Sequence, residues 1–300
     1  MSAHPVILAR GLVKSYGSVE AVRGIDLEVA PGRCIGLLGP NGAGKTTTMR
    51  MIMGLTTLSA GELLVFGVPV QALGRREKAR IGLVPQDNNL DPDLSVRQNL
   101  EVYGRYFDLP AAAIARQVPA LLAFMQLGDK IDQGVNQLSG GMKRRLVIAR
   151  ALISDPELVI LDEPTTGLDP QARVLIWKQL LSLKREGRTL LLTTHYMDEA
   201  QRLCDRIVII DGGRILDQGS PKELIARHVC GHVFEVPKPL PTGFKDGQWD
   251  QEDIGDAVLY YVETPRQMIE RLPEDAAYLH RPANLEDVFL RLTGRQLREN

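Results

Sequence analysis

Cysteine is scarce in this chain: three in 300 residues, Cys34, Cys204 and Cys230, all far apart. An odd number at such spacing makes neither a disulfide framework nor a C-x-x-C pair. That excludes a stapled secreted fold and points to a reducing, cytoplasmic setting. Charge of one sign is missing too. Lysine and arginine total 36 against 37 acids, a formal net charge of -1, so no global basic field draws in nucleic acid or anionic lipid. No apolar run approaches the roughly 20 residues that cross a bilayer. The start, Met1-Ser2-Ala3-His4-Pro5, lacks the basic residues and apolar core of a secretion signal. What remains is an ordinary globular composition. Hydrophobic residues make up 44% and the mean hydropathy is -0.09, enough for a sizeable core in one large domain or two of ordinary size.

The chain is organised around Gly39, Pro40, Asn41, Gly42, Ala43, Gly44, Lys45, Thr46 and Thr47. The order matches the phosphate-binding pattern G-x-x-x-x-G-K-S/T. An apolar run before it (34–38) reads as a buried strand, and residues 46–55 after it have helical spacing. The glycines let the backbone curl and turn its N–H groups inward. With the positive end of the following helix, these donors cradle phosphate oxygens. Lys45 supplies a point charge for the outer phosphates, and the Thr46 hydroxyl is a hard oxygen ligand suited to Mg2+.

Residues 6–29 read as two or three strands, followed by strands at 62–66 and 81–86. The texture then turns helical from Ser95 to about Ser154, with a capping box at Ser95 and Gln98. Strands resume at 157–162 and 189–194. Between them Asp169-Pro170 starts a helix that stops near Gly187. Strands follow at 206–210 and 214–218, and Ser220 caps another helix. The alternation predicts an α/β fold with a mixed, largely parallel core sheet, an antiparallel flank and an inserted helical subdomain at about 87–155. After residue 228 the character changes. The stretch 236–241 reads as a proline-rich loop, 258–262 as a strand and 265–272 as a helix. Leu285, Val288, Phe289 and Leu292 then form one apolar helix face. Residues 1–228 and 229–300 are therefore expected as separate domains, the second a small α+β unit.

Two further motifs carry chemistry. Residues 158–161 form an apolar strand that ends in Asp162 and Glu163. In a phosphate-loop protein the first acid is placed to hold Mg2+, and the second to orient or deprotonate a water. Ser139, Gly140 and Gly141 would present a hydroxyl and backbone N–H groups at another helix start, a second phosphate-binding device. One nucleotide needs only one loop. The second device suggests a γ-phosphate gripped from elsewhere, by another copy of the chain. The following run Lys143-Arg144-Arg145 reads as a solvated helix face.

The order of these segments over residues 1–228 resembles the ABC-transporter ATPase subunits. Residues 138–146, 84–107 and 281–294 are similar, more narrowly, to the nodulation protein I and daunorubicin-resistance export ATPases. The resemblance implies an ABC ATPase domain that binds ATP and Mg2+. In it Leu138 to Gly141 is the signature, residues 166–169 are the D-loop with Asp169, Gln86 is the Q-loop glutamine and a further Mg2+ ligand, His195 is the switch histidine, and Tyr16 is the aromatic that stacks on adenine. Two departures are visible. Met142 stands where glutamine is usual after the signature, and Thr166 where serine is more frequent.

Together these imply a nucleotide-driven clamp. Two chains face each other, each ATP lying on the loop of one copy and under Ser139 and Gly141 of the other. The expected partners are that second copy and an integral membrane permease subunit, with no nucleic acid. The expected location is the cytoplasmic face of the membrane, as a peripheral subunit. A soluble ABC ATPase acting on a ribosome or nucleic acid is the alternative. Separately, if residues 228–232 were a strand, His228, Cys230 and His232 would share a face and could ligate a metal. The other reading is a domain-boundary segment with ordinary alternation.

Overall fold

The computed structural model describes residues 4–242, 244 and 249–294. It divides into two compact units, 1–218 and 219–300.

In the first unit, β1 (Ile7–Tyr16) and β2 (Val19–Val29) form a long antiparallel hairpin. β3 (Cys34–Leu38) leads through the glycine-rich loop into α1 (Lys45–Ile52). Then come β4 (Ala60–Val65), β5 (Val68–Pro69), α2 (Arg75–Ala79) and β6 (Ile81–Val84). The helical block is α3 (Val96–Tyr106), α4 (Ala111–Phe124) and α5 (Gly140–Ala151). β7 (Leu158–Asp162), α6 (Pro170–Arg185), β8 (Thr189–Thr194), α7 (Met197–Leu203), β9 (Arg206–Asp211) and β10 (Arg214–Gly219) follow.

Two sheets result, ordered β2-β1-β4-β5 and β10-β9-β3-β8-β7-β6. The first is antiparallel; in the second, the run from β9 to β6 is parallel. The mixed core and antiparallel flank expected from the sequence are thus present. Every residue of β3 and β8 is buried, as in central strands of a parallel sheet covered on both faces. The capping signals hold as well. The Ser95 hydroxyl accepts from the Gln98 N–H at 3.2 Å while Gln98 reaches back at 2.9 Å. Asp169 caps α6 through the Ala172 N–H at 2.9 Å, with Pro170 in its first turn.

The parallel register aligns the strand ends. Leu38 lies opposite Thr194, Asp162 opposite Thr193, and Val84 opposite Leu161. The segments that follow β3, β6, β7 and β8 therefore emerge together at the carboxyl edge of one sheet, where open α/β sheets bind ligands. Among the described residues no helix is long and apolar enough to cross a membrane.

The second unit holds α8 (Pro221–His228), β11 (His232–Pro237), β12 (Asp250–Asp253), β13 (Ala257–Val262), α9 (Pro265–Ile269), β14 (Leu279–Pro282) and α10 (Leu285–Thr293). Its antiparallel sheet runs β12-β13-β11-β14 around a core of Phe234, Val236, Val258, Tyr260 and Val262. Leu285, Val288 and Phe289 are buried on one face of α10, as their spacing predicts.

Two sequence expectations change here, and one of the two open readings of residues 228–232 drops out. The division falls after Gln218, earlier than the change in sequence character, because α8 packs on α10 and belongs to the second unit. Val236 and Pro237 are strand rather than loop: β11 pairs with β13 through Pro237. Finally, residues 228–232 are not one strand. His228 ends α8, Cys230 lies in the connection and His232 opens β11, so the three share no strand face. Among the described residues no group of three or more histidine, cysteine or acidic side chains could hold a metal ion.

Candidate functional site

Residues 39–47 leave the carboxyl end of β3 and turn into α1. Glycine is required at two of these positions. A Cβ on Gly39 would stand 2.1 Å from the Ile210 carbonyl oxygen. One on Gly44 would stand 2.5 Å from the Ala21 carbonyl oxygen, and Gly44 has φ +104°. The curl is closed by the Ala43 N–H donating to the Pro40 carbonyl at 3.2 Å. Asn41 and Gly42 are exposed on it, with Thr46 exposed and Thr47 half-buried just beyond.

Lys45 is buried, and its Nζ donates to the carbonyl oxygens of Gly39 at 2.7 Å and Pro40 at 3.0 Å. Burial pushes its pKa below the ordinary lysine value, while the Glu163 and Asp162 carboxylates pull it back up. The loop therefore brings one cation inward, toward two acids on a neighbouring segment.

Those acids are fixed by Thr193, on the adjacent strand β8. Its hydroxyl donates to Asp162 Oδ1 at 2.6 Å and accepts the Glu163 backbone N–H at 3.0 Å. Glu163 is held at φ +45°, a left-handed conformation that costs a non-glycine residue about 1 kcal/mol. Its Oε2 then collects three neighbours. Gln86 Nε2 lies at 3.3 Å, Thr166 Oγ1 at 3.1 Å and His195 Nδ1 at 3.4 Å. The His195 contact is the main reason the Glu163 carboxyl titrates below its ordinary range; Thr166 and Lys45 act the same way and burial opposes them. A carboxylate so placed is ionised at neutral pH and can accept a proton from a water.

The site thus joins Lys45, Gln86, Asp162, Glu163 and His195, five residues from four separate stretches of the sequence. Tyr16 ends β1, is 48% exposed, and lies within 3.4 Å of the Thr56 hydroxyl just after α1. The Lys14 ammonium sits 4.8 Å over its ring. Ser139, Gly140 and Gly141 belong to a different element, the start of α5. Ser139 caps α5, its hydroxyl accepting the Met142 N–H at 3.3 Å, and a Cβ on Gly141 would meet Ala172 of α6 at 3.0 Å. Among the described residues, no hydrogen bond of the 39–47 loop reaches these three.

One expectation fails outright. The Lys143-Arg144-Arg145 run is not a solvated face. Arg144 is 3% exposed and its guanidinium donates to the Pro164 carbonyl at 2.7 Å. Arg145 is half-buried and donates to the carbonyls of Met125 at 2.7 Å and Gln126 at 3.0 Å. Both cations find backbone acceptors far away in sequence, which a run of three basic residues does not reveal. Sequence reasoning also missed Glu199 of α7, which is fully buried. It accepts from the Thr165 hydroxyl at 2.8 Å and the Trp177 indole at 3.0 Å, and burial raises its pKa. It ties the helix after His195 to the segment after Glu163.

A lysine-bearing phosphate loop beside a strand-end acid pair is the arrangement of phosphate-loop ATPases. Comparison with known proteins narrows the class. Residues 22–166 match the family described as ABC transporter, and residues 248–294 match the C-terminal domain of nodulation factor export protein NodI. A Nod factor export ATP-binding protein I from Cupriavidus metallidurans is 50% identical, covering 98% of this chain and 99% of the relative. One from Paraburkholderia xenovorans is 51% identical, covering 95% and 96%. Among solved structures, cbiO1 from Clostridium perfringens, part of an ABC transporter complex, superposes with a TM-score of 0.70 at 31% identity, over 75% of this chain and 92% of that one. A dimeric ATP-binding cassette in a post-hydrolysis state with ADP and Pi gives 0.65 at 26% identity, over 71% and 98%. The chain belongs to the ATP-binding subunits of ABC transporters, in the family of Nod factor export ATP-binding protein I. Its nucleotide is ATP and its reaction ATP hydrolysis.

Proposed function

We propose that two copies of this chain close on ATP and so drive an integral membrane permease subunit for export, working as a peripheral motor at the cytoplasmic face of the membrane. The observation that carries this reading is the split of the phosphate-binding groups. Lys45, Gln86, Glu163 and His195 converge, while Ser139 and Gly141 open a different helix and make no bond to the loop. A second copy would bring its Ser139 and Gly141 over the γ-phosphate, across the two-fold symmetry usual for homodimers.

In this reading the N–H groups of residues 39–44 cradle the phosphates, with Lys45 on the outer ones and Tyr16 stacked on adenine. Thr46, Asp162 and Gln86 are oxygen donors of the hard kind that Mg2+ prefers, and Asp162 spends only one oxygen on Thr193. They would hold that ion, which when bound neutralises phosphate charge. Glu163 takes a proton from the attacking water, His195 and Gln86 sense the γ-phosphate, and Asp169 meets the partner copy. ATP binds the closed pair best and thereby populates it.

The exporter role draws on the relatives, which are named for export of Nod factor, and the permease on cbiO1, which is part of a transporter complex. The same cargo class is proposed here. Glu163→Gln provides the test. With saturating Mg-ATP this variant should elute from a sizing column as a dimer and hydrolyse nothing. A monomer under those conditions would sink the shared-site reading.

A further inference from the structure

Helix α5 is capped by Ser139, and one turn further on it carries Arg144, whose guanidinium has no carboxylate among its hydrogen-bond acceptors in the described residues. Nε donates to Pro164 O at 2.7 Å, Nη1 to Pro85 O at 2.5 Å and Gln86 O at 3.1 Å, and Nη2 to Asp162 O at 2.9 Å and Glu163 O at 3.1 Å. All five acceptors are backbone carbonyls, and they come from only two segments, the ends of β6 and β7.

Their position explains why a cation is needed. The β6–β7 ladder pairs Val84 with Leu161 and goes no further. Beyond that pair the ladder offers no cross-strand partner, and the Arg144 guanidinium bonds carbonyls of both segments at once, sharing Glu163 O with the Thr166 N–H at 3.4 Å. The planar fork of arginine, with five donors in fixed directions, bridges the gap; a lysine ammonium has three donors and no plane. The cost of burial is visible in the guanidinium itself, whose pKa is pushed down to about 10. On either side of this bridge, Gln86 and Glu163 meet at 3.3 Å, with Glu163 in its left-handed conformation. The same helix sends Arg150 to the carbonyls of Asn89 at 2.6 Å and Asn88 at 3.2 Å, just past Gln86.

We infer that Arg144 is a positioning residue for hydrolysis: it ties the helix that presents Ser139 to one nucleotide to the backbone that presents Gln86 and Glu163 to the other. This rests on the shared-site reading above. Arg144 touches no reacting atom. It acts by keeping the Gln86 amide and the Glu163 carboxylate in register, where a displacement of about 1 Å can cost on the order of a hundredfold in rate.

The experiment compares Arg144→Met and Arg144→Lys with the parent chain by ATPase kinetics, and repeats Arg144→Met in the Glu163→Gln background on a sizing column with Mg-ATP. The expected result is a kcat lowered roughly 10- to 100-fold in Arg144→Met. KM should stay within about threefold, the double variant should still dimerise, and Arg144→Lys should recover part of kcat. Parental kcat in Arg144→Met overturns the inference. So does a loss of rate accompanied by equal losses of ATP affinity and dimerisation, since that is what a merely structural arginine would give. If Arg144→Met does not fold, Arg144→Lys decides: unchanged kcat with intact folding overturns the inference, and reduced kcat at unchanged KM supports it. If Glu163→Gln alone stays monomeric, the shared-site reading has failed, whatever Arg144 does.

Discussion

His195 Nδ1 lies 3.4 Å from Glu163 Oε2, and this contact is the main reason the Glu163 carboxyl titrates below the ordinary glutamate range. The pair has a pH signature. Glu163 must be ionised to accept a proton from water, so the acid limb of the activity profile follows its pKa. His195→Ala removes the chief lowering influence while burial, which raises the pKa, remains. The residual rate of that variant should therefore fail at a higher pH than the parent on the acid side. The check is kcat measured between pH 4 and pH 8, a window that spans the ordinary glutamate pKa of about 4.3. The sign for stability agrees: a depressed carboxylate stabilises the fold above its unfolded pKa and loses that contribution as pH falls through the folded one.

Lys45 is buried, yet among the described residues its ammonium bonds only the carbonyls of Gly39 and Pro40. Exchanging those for phosphate oxygens converts charge–dipole bonds into charge–charge bonds. Lys45→Ala should weaken ATP binding by roughly 10- to 100-fold, the equivalent of one charge-assisted bond of about 1.5–3 kcal/mol. Turnover should vanish with it. Titration calorimetry with ATP measures the first effect and phosphate release the second. Unchanged affinity would show that the loop binds through its backbone alone.

Thr193 gives a sharper contrast, because valine keeps its shape and removes only the oxygen. That oxygen bridges Asp162 and the Glu163 N–H from within the core. Thr193→Val should lower stability by about 1–3 kcal/mol, the penalty for Asp162 Oδ1 losing its donor, while the Glu163 N–H keeps the backbone carbonyl of residue 193 at 3.2 Å. It should lower kcat more than KM, because Asp162 loses its tether and Glu163 loses one of its two. Thermal unfolding and steady-state kinetics on one preparation test this. A variant equal to the parent in both would remove Thr193 from the account.

What could be read in the sequence, and what could not, follows from the range of the interactions. The phosphate loop, the buried runs of β3, β7 and β8, and the caps at Ser95 and Asp169 are local, so their residue types announce them. Arg144 is the opposite case. Its acceptors lie 18 to 59 residues away and are carbonyls, which every residue has. Thr193 and Glu199 are hidden for the same reason. The missed strands have another cause. β12 (Asp-Gln-Glu-Asp) and β14 (Leu-His-Arg-Pro) are the two edges of the small sheet. Edge strands need no apolar run, and charge or proline on them guards against stray pairing, so they read as loops.

The second unit can be tested by itself. Arg281 on β14 makes two 2.7 Å bonds to Asp287 on α10, and Asp287 is 1% exposed. Asp287 also accepts the Asn284 N–H at 2.8 Å and completes the cap of α10. Removing the acid leaves a half-buried guanidinium without its carboxylate and the Asn284 N–H without its acceptor, so that Asn284 Oδ1 alone still caps the helix. Asp287→Ala should therefore cost this unit about 3–5 kcal/mol, as for other broken buried pairs. Arg281→Met should cost less, because Asp287 keeps its bond to the Asn284 N–H. Thermal unfolding of the full chain followed through Trp249, in the second unit, should show Asp287→Ala melting first, Arg281→Met next and the parent last. The opposite order of the two variants would mean that the ion pair, rather than the helix cap, dominates the stability of this unit.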